Sequence, residues 1–323
     1  MRSEDGVLVI DKPEGLTSHD VVARMRKILG TRRIGHTGTL DPFATGVLVV
    51  CVNRATRLAQ FLAGEDKEYV ATMRLGFATD TGDLTGTPKT SVTDAGRITS
   101  SEVKETFSRF LGPIKQIPPM YSAKKVGGVK LYEMARRGEE IERAPVSVEI
   151  KKLELLDSAG DPGPAKANAQ TAPTEFSFRV VCSSGTYIRA LAEEIGATLG
   201  VGAHLTRLRR IRSGNCSIDD AVTLEKLADL ARPGQDDQVM MIPMSDAIAM
   251  PAVQIGPEDR KRVSHGRSIE HPAENPAGSA GEGPMNYADG ALAKLCDKKN
   301  QLIAIAEFDS AKTLWRPRVV LID

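Results

Sequence analysis

The chain predicts a mixed α/β (α+β) catalytic domain followed by a small, mainly β module. Two patterns and one length carry this. Apolar strand-like runs and amphipathic helical stretches intermingle through the first 250 residues without strict βαβ alternation, so a purely parallel sheet is not required. From residue 251 onward the pattern changes to short strands. A chain of 323 residues is long enough for two domains, or one with an appendage, and buries a full core without staples.

The elements follow in order. Residues 6–10 (GVLVI) read as a buried strand entering Asp11-Lys12-Pro13. Thr17 and Ser18 offer caps for a helix whose apolar stripe is Val21, Val22, Met25, Ile28 and Leu29, ended by Gly30. GVLVVCV (46–52) suits a central strand. A helix at about 54–63 and a strand at about 67–75 follow, then an amphipathic helix marked by Val103, Phe107, Phe110 and Leu111 and capped by Ser100 or Ser101. KKVGGVKLY (124–132) reads as a glycine-turn hairpin entering a short helix. Strands are expected at about 145–156 and 175–182, a helix opening at about Thr186, and another helix at about 223–231. The Pro/Ala/Gly-rich stretch at 158–174 reads as a surface insert, and a second such insert falls at about 271–285. The expected division is 1–250 for the catalytic domain and 251–323 for the β-rich module.

Composition bounds the function. Lys and Arg number 43 against 42 Asp and Glu, so the net charge of +1 says nothing about partners, and the placement of charge must carry any case for nucleic acid. Cysteines 51, 182, 216 and 296 form no CxxC pair, and the five histidines form no HxxH or HExxH pattern, so neither a metal nor a disulfide framework is expected. No GxGxxG or GxxxxGK[ST] follows a strand, which argues against a nucleotide cofactor. The apolar run at the N-terminus is too short for a signal peptide, and no stretch approaches the ~20 apolar residues of a membrane helix. A reduced, cytoplasmic setting is expected.

The chemistry concentrates in Arg32–Gly46, a polar, glycine-punctuated loop before a buried strand. Residues 21–40 carry five Lys or Arg and no carboxylate, so Asp41 ends a cationic segment, and its pKa is expected to be depressed by those cations. An ionised, oriented carboxylate suits a nucleophile or a base. Asp-Pro alone means a capped turn at least as often. Arg189, in SSGTYIR at a strand-to-helix junction, can hold such a carboxylate, although a lone helical Arg is by default solvated. Tyr69 is either sheet filler or a stacking platform for a planar base. Acid-free clusters at Arg207, Arg209, Arg210 and Arg212 and at Lys312, Arg316 and Arg318, and one around Lys124–Arg137 with Glu133 its only acid, suggest the segregated charge that phosphate binding favours.

GHTGTLDPFATG resembles the catalytic motif of the tRNA pseudouridine-55 synthase family. GVLVIDKPEGLTSHDVV, KEYVATMRLGFATDTGD, IPPMYSAKKVGGVKLYEMARRG and CSSGTYIRALAEEIGATLGVGAHLTRLRR resemble its other motifs, in order, over residues 6–212. The resemblance implies a pseudouridine-synthase-like domain with a largely antiparallel sheet flanked by helices, and a PUA-like RNA-binding module at 251–323. It implies Asp41 as catalytic aspartate, Arg189 as its partner, and Tyr69 against the target base. His36, Tyr187 and Leu208 would line the nucleotide pocket, with Lys12 and Pro13 supporting the loop. The implied reaction isomerises uridine to pseudouridine in the tRNA T-loop with the nucleotide flipped out, without metal, cofactor, membrane or obligate protein partner. Three other readings are weighed: the same chemistry on another RNA guided by partner proteins, a non-catalytic RNA-folding protein on this fold, and a retaining hydrolase. The last would need a second carboxylate roughly 5–5.5 Å from Asp41, with Asp80 or Asp83 as nominees.

Overall fold

A computed structural model of the chain describes residues 4–156, 174–232, 241–271 and 287–322. The insert read at 158–174 lies outside these residues apart from Thr174, and that at 271–285 apart from His271.

The N-terminal run forms β1 (Gly6–Lys12), every residue of which is buried but Asp11. Helix α1 (Ser18–Leu29) opens on a capping box in which Thr17 and Asp20 satisfy each other's backbone N–H, and it ends at Gly30 in the left-handed conformation. Then come β2 (Ile34–His36) and the central β3 (Thr45–Val52). The stretch read as one helix at 54–63 is instead a 3-10 turn over Asn53–Leu58 running into a short α2 (Ala59–Ala63). Asn53 has positive φ, and the Thr56 hydroxyl donates to its carbonyl, which tightens the entry. Next is β4 (Lys67–Leu75). Helix α3 (Ser100–Ser108) is capped by Thr99, one residue before the expected serines, because Thr99 and Glu102 complete the capping box. Phe110 and Leu111 fall beyond its end.

Strand β5 (Gly112–Gln116), the hairpin β6 (Lys125–Val126) and β7 (Val129–Lys130), and helix α4 (Leu131–Arg136) follow. The domain continues with β8 (Val146–Leu155), β9 (Glu175–Cys182), α5 (Ile188–Thr198), β10 (Ala203–Ser213), β11 (Cys216–Ser217) and α6 (Leu224–Leu230). Helix α5 starts two residues after the expected Thr186, whose hydroxyl donates to the Ser183 carbonyl in the turn before it.

These strands form a nine-stranded sheet in the order β1-β3-β10-β4-β9-β8-β5, with β2 on β3 and β11 on β10. All named pairs are antiparallel except β3 with β10. Strict alternation follows from this: on β4, Tyr69, Ala71, Met73 and Leu75 enter a core with Phe176, Phe178 and Val180 of β9 and Leu191 and Ile195 of α5. The Met, Leu, Ile, Val and Phe side chains among these, once fully buried, contribute about 1.5–3 kcal/mol each.

The remaining elements form a separate five-stranded sheet, ordered β12 (Ala252–Gln254), β14 (Leu292–Cys296), β15 (Leu302–Asp309), β16 (Leu314–Val320) and β13 (Ile269–Glu270). Helix α7 (Pro257–Ser264) was not expected from the sequence: of its eight residues only Val263 is buried, so it has no apolar stripe to read. Trp315, fully buried, centres this module's core. A shared apolar cluster in which Val7, Val9, Val47 and Val49 meet Leu302, Ile305 and Leu321 seats the module on the catalytic domain.

Gly46 is the second residue of β3 and pairs with Arg210 of β10. Its φ is +96°, and a Cβ there would lie 2.1 Å from the Arg210 carbonyl oxygen, closer than atoms can pack. Gly46→Ala is expected to lower stability by more than about 2 kcal/mol, from strain and overpacking together. A urea midpoint unchanged from the parent chain would contradict that.

Candidate active site

The loop 37–45 is held by Lys12, Gly15, Ser18 and Arg210. The Ser18 hydroxyl accepts from Leu40 N–H at 2.9 Å, and Gly15 N–H donates to the Pro42 carbonyl at 2.8 Å. Lys12 is fully buried, and its ammonium donates to the carbonyls of Pro13 (2.8 Å), Leu16 (2.7 Å) and Pro42 (3.2 Å). Burial brings the Lys12 pKa down to about 8, opposed by the charges of Asp41 and Glu14. Arg210, 2% exposed, donates to the Val47 carbonyl at 2.6 Å and the Gly38 carbonyl at 3.1 Å. The loop is therefore fixed before any ligand arrives.

Asp41 projects from it onto Arg189, in the first turn of α5. Arg189 Nε lies 2.9 Å from Asp41 Oδ2 and Nη2 3.2 Å from Oδ1, a two-point pairing. The same guanidinium donates to the carbonyls of Thr81 (2.6 Å) and Tyr121 (2.7 Å), and Asp83 Oδ2 lies 3.8 Å from its Nη1. Gly82 lets this turn come close: a Cβ there would sit 3.2 Å from Arg189 Cβ, at φ +73°. The Arg189 side chain is 4% exposed while Asp41 keeps 32%, so the carboxylate faces outward and the cation is sealed behind it.

What Asp41 faces is a cavity of about 230 Å³. Tyr69, Ile188 and Leu208 give it apolar walls, with Tyr187, Ser122 and Arg210 among its polar groups. The Tyr69 ring belongs to the core, burial raises its phenol pKa, and Arg210 hydrogen-bonds its hydroxyl. Of the residues nominated from the sequence, Asp41, Tyr69, Tyr187, Arg189 and Leu208 line one cavity. Lys12 and Pro13 lie behind the loop, in a second hollow with Asp11 and Arg209. His36 does not line the main cavity. Its ring packs edge-on against His19 at 5.4 Å between centroids, and burial lowers its pKa to about 4.

Two expectations are corrected. The Asp41 pKa is raised, not depressed: burial of the carboxyl outweighs Arg189, and the neighbouring Asp83 adds to the rise. The cluster at 207–212 is not an open phosphate footprint. Arg209 pairs with Asp11 through two hydrogen bonds, Arg212 pairs with the buried Glu68, which Arg179 also holds, and Arg210 serves the loop. The nominee Asp83 is engaged within its own turn by Thr81 and Thr85 and does not line the cavity, so it offers no second carboxylate to a hydrolase. Three lining residues escaped the sequence reading: Arg210 as a loop clamp, Lys67, whose ammonium is spent on the Ala63 and Glu65 carbonyls, and Ser122. Only the lack of an acid near Arg210 and Lys125 hinted at any of them. No cluster of His, Cys, Asp and Glu suited to a metal occurs among the described residues.

Comparison with known proteins gives two contiguous family matches. Residues 26–188 match the TruB family pseudouridylate synthase N-terminal domain, and residues 189–249 the tRNA pseudouridylate synthase B C-terminal domain. The chain is 48% identical over 263 residues to the tRNA pseudouridine synthase B of Symbiobacterium thermophilum, covering 81% of this chain and 82% of that one. With that of Dechloromonas aromatica it shares 40% over 319 residues, or 98% and 95% of the two chains. Among solved structures it resembles a chain of a Cbf5-Nop10-Gar1 complex, with a TM-score of 0.73 at 29% identity, covering 98% of this chain and 85% of that one. It also resembles a chain of an H/ACA RNP bound to a substrate RNA containing 2'-deoxyuridine, with a TM-score of 0.70 at 27% identity, covering 98% and 85%.

The charge balance at Asp41 is measurable by carbon-13 titration of its carboxyl. The pKa is expected above the ordinary aspartate value of about 3.9. Asp83→Asn removes a like charge and is expected to bring it down. A parent value at or below 3.9, or an upward move in the variant, would contradict the assignment.

Proposed function

The chain belongs to the TruB family of pseudouridylate synthases, and from that membership we propose that it isomerises a tRNA uridine to pseudouridine, at position 55 in the T-loop, with Asp41 as the reactive group. The observation that carries the reading is the two-point Asp41–Arg189 pair at the mouth of a cavity with apolar walls.

The chemistry asks for little else. The N1–C1′ bond breaks, the uracil turns, C5 bonds to C1′, and the C5 proton is lost while N1 gains one. No redox step, group donor or energy source enters. A stacked uridine must first leave its stack, at a cost of roughly a few kcal/mol. The slot between Tyr69 and the Ile188–Leu208 wall would receive the ring and offset that cost. Asp41 then meets the nucleotide on its polar side. Burial raises its pKa, while Arg189, donating to both oxygens, favours the anion.

The exposed Lys125 hairpin and the module over 252–320, which we read as PUA-like, would contact the RNA backbone outside the cavity. The domain boundary near 250 fits this division. We read the chain as acting alone; the Cbf5 relative is seen in a complex with Nop10 and Gar1. The cytoplasm, where tRNA is matured, is the proposed place of action; among the described residues no helix is long and apolar enough to cross a membrane.

Incubating the chain with an unmodified tRNA transcript and no additive, then mapping pseudouridine by carbodiimide-stop sequencing, is expected to mark the T-loop uridine. Asp41→Asn is expected to retain tRNA binding and to lose at least about 10³-fold in rate, as removal of a reactive group does. Turnover retained in that variant would take Asp41 out of the reaction, and product at a different uridine would overturn the site.

A further inference from the structure

Thr186, Tyr187, Ile188 and Arg189 are consecutive residues of the cavity wall, and they form the entry of α5. The plane of the Asp41 carboxylate depends on where this entry stands, because Arg189 lies in its first turn. The helix's own sequence does little to fix it. Its cap position is Tyr187, whose side chain gives no capping hydrogen bond. The fixation comes from another strand. Gln116, the last residue of β5, is fully buried. Its Oε1 accepts from the Tyr187 N–H at 2.8 Å, and its Nε2 donates to the Tyr187 carbonyl at 3.1 Å.

One carboxamide thus holds both backbone polar groups of one residue, as a paired strand does, and a two-point grip fixes direction as well as distance. A buried amide destabilises a protein unless its hydrogen bonds are made, and Gln116 commits both of these to the helix entry. The chain leaving Gln116 then returns to the same helix. The Tyr121 carbonyl accepts from Arg189 Nη2 at 2.7 Å, the nitrogen that also donates to Asp41 Oδ1. Gln116 therefore braces the backbone that carries Arg189, while Tyr121 braces its guanidinium.

We propose that Gln116 is a positioning residue for the reaction: its carboxamide sets the entry of α5, and through it the guanidinium that orients Asp41. Gln116 does not line the cavity, so it acts only through Tyr187 and Arg189. This inference rests on the proposed function and adds to it a residue outside the cavity.

Gln116→Met nearly keeps the length and volume of the side chain and removes both hydrogen bonds. Single-turnover conversion of an unmodified tRNA transcript is expected to slow roughly tenfold to a hundredfold, as a misplacement of about 1 Å does. Affinity for tRNA, measured in the Asp41→Asn background so that the RNA stays unconverted, is expected not to change. Carbon-13 titration of the Asp41 carboxyl gives a readout independent of turnover. Arg189 holds that pKa down against burial, so a displaced guanidinium is expected to let it rise above the parental value. A parental rate, a loss confined to affinity, or a slower rate with the Asp41 pKa unmoved would overturn the proposal. Ile114→Ala, in the same strand and packed on the same core, controls for destabilisation alone. It is expected to melt below the parent with the Asp41 pKa unchanged, and an equal rise there would overturn the assignment. If Gln116→Met fails to fold, Gln116→Asn, whose amide is one methylene shorter, is read by the same rate and titration. Failure of the parental chain to form pseudouridine would count against the proposed function, while the Asp41 titration still tests Gln116.

Discussion

A cation buried to 4% exposure cannot be left unsatisfied, and Arg189 is satisfied by groups from three separate parts of the chain. The Asp41 loop, the Thr81–Asp83 turn and Tyr121 each place an oxygen around one guanidinium that α5 delivers from its first turn. Removing one partner of such a buried pair costs about 3–5 kcal/mol, because the other charge is stranded. The guanidinium therefore acts as a joint. It draws three loops with no sheet pairing between them into one site and fixes the plane in which the carboxylate must lie.

Around that joint the charges divide by task. Lys12 and Arg210 carry formal charges near Asp41, but Lys12 donates to the carbonyls of Pro13, Leu16 and Pro42, and Arg210 to those of Gly38 and Val47 and to the Tyr69 hydroxyl. They hold the loop's shape, while Arg189 alone pairs with the carboxylate. The Asp41 side chain keeps 32% exposure and lines the cavity. A charged group that is fixed from behind and accessible from the front needs no rearrangement when a nucleotide enters, and preorganisation of this kind lowers a reaction barrier without further cost at the moment of reaction.

How much of this was legible in the sequence depends on whether the cause was local. Periodicity placed β1, β3, β4, β9 and α1 within a residue or two, because their burial patterns are written in consecutive side chains. Helix α7 was invisible, since PEDRKRVS buries one residue and owes its place to contacts with the β module. The pairing of Asp41 with Arg189 was reachable only because the motifs around both resemble one family; nothing in 148 residues of separation encodes it. The direction of the Asp41 pKa was misjudged for a physical reason. Counting nearby cations captures attraction, whereas the loss of water on burial depends on the walls that Tyr69, Ile188 and Leu208 bring from other elements.

The arginines of β10 show the same limit from the other side. A run of RLRRIR with no acid among its neighbours reads as a phosphate-binding strip, but a strand sends alternate side chains to opposite faces. Arg210 points to the Asp41 loop and Arg209 to the far face, and the register shift between Arg210 and Arg212 turns Arg212 to that far face too, where Asp11 and Glu68 arrive from β1 and β4. A carboxylate already bound to a guanidinium competes with any incoming phosphate, so those two arginines release few counterions when RNA binds. The segregation of charge that favours RNA must then reside in side chains not committed to carboxylates, and the hairpin that carries Lys125 lies directly beyond Tyr121 and Ser122. The hairpin proposed to meet the RNA backbone and the carbonyl that braces Arg189 thus belong to one short stretch of chain.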